Sequence, residues 1–131
     1  MNGKNILYWA CRLVAAAIMA QTLYFKFTGA PESVAIFTQM GIEPWGRYGT
    51  GVVELIASLL LLANSTARWG ALVACGTMAG AIGSHLLVLG IESQGDGGYL
   101  FTLACVVMVC SLYILWVNKE ELLKLFAKIK G

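Results

Sequence analysis

Long apolar stretches separated by short polar ones fill most of the sequence. They run over residues 6–27, 45–63, 67–90 and 98–117. Each is close to the ~20 residues that a helix needs to cross a bilayer. Backbone groups in hydrocarbon find no water to bond, so each crossing segment must satisfy its own groups, as a helix does. Barrel strands would instead alternate polar and apolar residues over about ten positions. The links at residues 64–66 and 91–97 are short, and short links force antiparallel neighbours. The expected fold is all-α: an integral-membrane, up-down four-helix bundle forming a single transmembrane domain over residues 1–131.

Two further segments fall outside these runs. In the first linker, Pro31-Glu32-Ser33 opens a short apolar segment, Val34 to Met40, and Gly41 closes it. Proline at the start and glycine after the end of a helix is the usual asymmetry, so a short interfacial helix is expected there. The tail, residues 118–131, alternates Lys119, Lys124, Lys128 and Lys130 with Leu122, Leu125, Phe126 and Ile129. It reads either as an amphipathic helix on an anionic cytoplasmic leaflet or as a solvated extension of the fourth span.

Composition agrees with a bilayer setting. Charged residues are 12% of the chain, against about 25% in soluble domains, which leaves too little polar surface for a water-soluble fold. The net charge is +2, with no Lys/Arg block, so nucleic acid is excluded as a partner. Lys and Arg are distributed unequally. Lys4, Arg12, Arg68, Lys119, Lys124, Lys128 and Lys130 fall on one side, and only Lys26 and Arg47 on the other. By the positive-inside tendency both termini are cytoplasmic. Arg12 breaks the apolar core that a cleaved signal peptide needs, so the first run is expected to remain as a span. Cys11, Cys75, Cys105 and Cys110 lie in apolar runs without a C-x-x-C. Together with the single histidine they lack zinc spacing, so no metal site is expected.

An ionisable side chain deep in a bilayer costs about 2.5–3.5 kcal/mol on insertion scales, so it turns inward and pairs, or reaches out to the headgroups. Four residues qualify: Arg12, Lys26, Glu54 and His85. Arg12 and Lys26 fall within about 40° of one helix face, with Ala15, Ala16, Met19 and Thr22 between them. Glu54 shares its face with Gly51 and Ser58. Lys26, Glu54 and His85 lie at similar depth in the outer half. A carboxylate, an ammonium and an imidazole can therefore ring one intramembrane cavity and contact a bound ligand. Glu54 would neutralise Lys26 or Arg12, and His85 would bond to Glu54 or to the ligand. The alternatives are snorkelling for Lys26 and Arg12, a backbone partner for His85, and a purely structural ion pair for Glu54. Gly76-x-x-x-Gly80 is a helix-packing pattern.

The order of several pieces resembles the DoxX and DoxX-like family of small bacterial membrane proteins. They are Lys26-Phe27-Thr28-Gly29-Ala30-Pro31-Glu32, Phe37 to Gly41, Pro44-Trp45-Gly46-Arg47, Gly51-Val52-Val53-Glu54-Leu55, and Met78-Ala79-Gly80-Ala81-Ile82 leading to His85. The resemblance implies a four-helix bundle in the bacterial inner membrane. Some relatives are linked to membrane redox chemistry, including a quinone-coupled thiosulfate oxidation subunit. Others are linked to partner proteins. The expected role is binding of a quinone or other lipophilic small molecule at Lys26, Glu54, His85 and Arg12. The alternative is a non-catalytic assembly or scaffold subunit for a membrane partner, or a homodimer.

Overall fold

The computed structural model describes residues 3–92 and 95–130. Gly131 and the side chains of Lys4 and Lys130, counted above on the inner side, lie outside the described residues. Those residues are all-helical, with no strand among them. The elements are α1 (Gly3–Thr28), α2 (Pro31–Gln39), α3 (Trp45–Leu62), α4 (Ala67–Ser84), α5 (Tyr99–Val117) and α6 (Lys119–Lys130). A π-helical turn, His85–Leu89, continues α4.

Among the described residues three helices are long and apolar enough to cross a membrane: Asn5–Thr28, Ala67–Leu89 and Tyr99–Val117. α3 is not among them. Its first two turns, Trp45 to Gly51, are weakly apolar and include Arg47, and Glu54 follows.

α1 packs on α3 and α5, and α4 packs on the same two helices from the other side. Small residues line these contacts: Ala15 and Ala16 of α1, Ala57 of α3, Ala71 and Ala74 of α4, and Ala104 of α5 are all buried. Small side chains let helix backbones approach where apolar burial alone gives no drive between helices in lipid. Gly70 marks the tightest approach. A Cβ there would lie 2.7 Å from the Leu61 backbone nitrogen and 2.9 Å from the Ala57 carbonyl oxygen. Large apolar side chains point outward instead, among them Leu59, Leu87, Val109 and Leu112.

Two arginines close the antiparallel α1–α3 pair at its two ends. The last carbonyls of a helix lack partners within it and carry partial negative charge. Near the start of α1, Arg12 donates from Nε to the Leu61 carbonyl near the end of α3 (2.7 Å) and from Nη1 to Asn64 Oδ1 (3.0 Å). Its guanidinium also covers the Trp9 ring at 3.7 Å. Near the start of α3, Arg47 donates to the Lys26 carbonyl near the end of α1. Arg47 is held there by Glu43, whose carboxylate accepts from Nε at 2.9 Å. Each helix thus supplies the cation that caps its neighbour. At the same end as Arg12, Arg68 pairs with Glu121 at 2.9 Å and ties α6 to the first turn of α4.

Candidate functional site

At the opposite end from Arg12, the helices part around a cavity of about 830 Å³. Its walls come from α1, α2, α3, α4 with its π-helical turn, and α5, and they are mainly apolar: Met19, Phe37, Val53, Met78 and Leu103 are typical. α2 forms one wall with Phe37 and Ser33, both buried.

One polar cluster sits between α1 and α3. Lys26 Nζ donates to Glu54 Oε1 at 2.8 Å and to Thr22 Oγ1 at 3.3 Å. Thr22 Oγ1 lies 2.9 Å from Glu54 Oε2 and 2.7 Å from the Met19 carbonyl. A hydroxyl has a single proton, so it serves one of these acceptors at a time. Glu54 is only 4% exposed. A carboxylate so far out of water needs both a counter-charge and hydrogen bonds to persist as an ion, and Lys26 with Thr22 supplies them. The three side chains meet because α1 and α3 run close together there. At Gly51, one turn before Glu54, a Cβ would stand 2.9 Å from the Phe27 ring and 3.6 Å from Lys26 Cβ. Lys26 spends two of its three ammonium protons on these bonds and lines the cavity with one to spare.

His85 opens the π-helical turn and lines the same cavity. Its ring packs edge-on against Phe101 of α5, with centroids 5.7 Å apart. Nδ1 lies 2.9 Å from the Gly90 carbonyl oxygen, and the His85 carbonyl accepts from the Gly90 amide at 2.6 Å. This double tie depends on Gly90, whose φ of 82° and ψ of 164° lie in a region open almost only to glycine. His85 therefore bonds to the backbone rather than to Glu54.

Three of the four residues singled out from sequence, Lys26, Glu54 and His85, thus line one cavity. Arg12 does not: it is spent on the end of α3. Sequence reasoning placed Thr22 on the right face but missed it as a partner for the carboxylate. The available signal was its position four residues before Lys26, where side chains on a helix meet. Gly90 and Phe101 gave no signal. Among the described residues no group of three His, Cys, Asp or Glu side chains could hold a metal ion.

The DoxX family model matches residues 7–91. The chain belongs to the DoxX family. No curated protein and no solved structure matches it. The matched DoxX region contains Lys26, Glu54, His85 and Gly90, while Asp96 and the α5 wall with Leu100 and Leu103, which also line the cavity, lie beyond it.

Proposed function

We propose that this DoxX protein holds a lipophilic small molecule, a quinone being the best candidate, in the cavity beside Glu54, as part of a membrane redox system. The observation that carries this reading is the placing of an ion pair and an imidazole around one apolar space. Ligand pockets are mostly apolar with a few convergent polar groups, and they run to about 300–1,000 Å³. A flat ring with two carbonyls fits such a space. The spare Lys26 proton meets one oxygen, and the apolar walls take the ring and tail.

The setting is a four-span bundle in the bacterial inner membrane, with α3 as the fourth span and both termini cytoplasmic. Aromatic residues support these levels. Tyr24, Trp45 and Tyr99 are exposed near one end of the helices, and Trp116 near the other, as in interfacial belts. The test is a Glu54→Gln variant titrated with a short-chain ubiquinone in detergent. Affinity should fall at least about tenfold, the cost of losing a charge-assisted bond network. Unchanged affinity would remove Glu54 from the role.

The second reading is an assembly subunit without chemistry. It draws on Gly76 and Gly80, which line the same cavity, are exposed and have open space where a Cβ would stand, so that a partner's helix in place of a small molecule would fill that space. A stoichiometric partner in pull-downs from native membranes would favour it.

A further inference from the structure

Resting on the cavity reading above, the geometry points to a more specific ligand: one with a hydroxyl that donates a hydrogen bond to His85 Nε2. We infer that the site selects a phenol or hydroquinone head over the corresponding quinone.

The argument starts from the tautomer. A carbonyl oxygen only accepts, so the 2.9 Å contact between Nδ1 and the Gly90 carbonyl places a proton on Nδ1. In the neutral imidazole the other nitrogen then carries only a lone pair. Among the described residues Nε2 has no hydrogen-bond partner, yet it is not one of their sealed, unsatisfied atoms. The residue as a whole is 5% exposed and lines the cavity. The remaining opening for Nε2 is therefore the cavity itself. An acceptor facing a water-poor space discriminates strongly, because a ligand without a donor leaves it unpaired. A quinone has acceptors only. A hydroquinone presents O–H groups, and its oxygens still accept from the spare Lys26 proton.

The ring cannot adapt by rotating. Turning it over would give up the Gly90 bond, and the Phe101 contact fixes its plane. Gly90 is thus a positioning residue that sets which nitrogen faces the ligand.

The chain has a single histidine, so ¹⁵N-histidine labelling of the full chain in detergent reports on this ring alone. The probes are tetramethylhydroquinone, its dimethyl ether and tetramethylquinone, kept anaerobic. The free protein should show Nδ1 protonated and Nε2 bare. The hydroquinone should shift Nε2, and the dimethyl ether should not. By titration the hydroquinone should bind about tenfold more tightly than the ether or the quinone, the scale of one buried acceptor left unpaired. In Gly90→Ala and in His85→Phe this preference of hydroquinone over ether and quinone should shrink to about twofold or less. Equal binding of all three probes to the unaltered protein overturns the inference and leaves the cavity reading standing, as does a bare Nδ1. Failure of every probe to bind overturns both.

Discussion

Glu54 and Arg12 are both buried, at 4% and 1% exposure, and their surroundings assign them different tasks. Glu54 has a full counter-ion and two oxygens engaged. Arg12 meets no carboxylate among the described residues, and its Nη2 is sealed without a partner. Its charge is offset by the carbonyl end of α3 and the Trp9 face. Removing one member of a buried pair strands the other and costs about 3–5 kcal/mol, whereas replacing both by apolar residues is often neutral. Glu54→Gln should therefore lower the unfolding free energy by about 3 kcal/mol. The double variant Lys26→Leu/Glu54→Leu should regain most of it while still failing to bind a quinone or hydroquinone. Recovery of binding along with stability would make the pair purely structural. Arg12→Leu should cost about 1–3 kcal/mol through the lost bonds to Leu61 and Asn64, with ligand affinity unchanged, as read from thermal unfolding and titration of one sample. The depth of Glu54 made its need for a partner legible from sequence alone. Which cation would meet it was not legible, because Arg12 and Lys26 share one face of α1 and both reach α3. The end of α3 decides the matter, since it claims Arg12 before any carboxylate can.

The helices differ in how clearly their sequences announce a face. On α3 the buried positions include Arg47, Gly51, Glu54 and Ser58, and the exposed ones include Val52, Leu55, Ile56 and Leu59, so polarity itself marks the inner side. α4 offers no such contrast. It is apolar all round, as a helix between lipid and an apolar core must be, and it bears glycines and alanines on several faces. Its sequence could not say which small residues pack inward. Gly70 does: its missing Cβ leaves room for the backbone of α3. Gly76 faces open space. Gly70→Ala should push α3 and α4 apart and destabilise by about 1–3 kcal/mol. Gly76→Ala should cost nothing and can gain up to about 1 kcal/mol from helix propensity. Parallel unfolding titrations in detergent compare them, and equal effects would mean that the α3–α4 contact is looser than the close approach at Gly70 requires. The π-helical turn at His85 was likewise invisible beforehand, because it is closed by the bond from the Gly90 amide to the His85 carbonyl. Local apolar periodicity carries no mark of it.

The position of α3 in the bilayer decides the topology of the entire chain. Its modest mean apolarity arises from residues that face inward, with Arg47 and Glu54 each buried and paired, so the surface it turns outward is as apolar as that of its neighbours. Intramembrane charge is tolerated on those terms. α3 packs on α1 and on α4, so an α3 that crosses would share their depth. If α3 crosses, the links at residues 41–44 and 63–66 lie on opposite sides, and the Lys and Arg excess of the N-terminus, Arg68 at the start of α4 and α6 falls on one side. Alkaline phosphatase folds only outside the cytoplasm, and a fluorescent protein fused to the same sites serves as its complement. Phosphatase joined after Glu43 should be active, whereas phosphatase joined after Ser65 or Asn118 should be inactive, with fluorescence reversed at each site. Activity at both Glu43 and Ser65 would leave α3 lying along the surface. That result would also remove the shared depth of Lys26 and Glu54, since a surface helix could not present its carboxylate beside α1 within an apolar space. The fusion series therefore tests the architecture and the ligand site together, before any ligand is chosen.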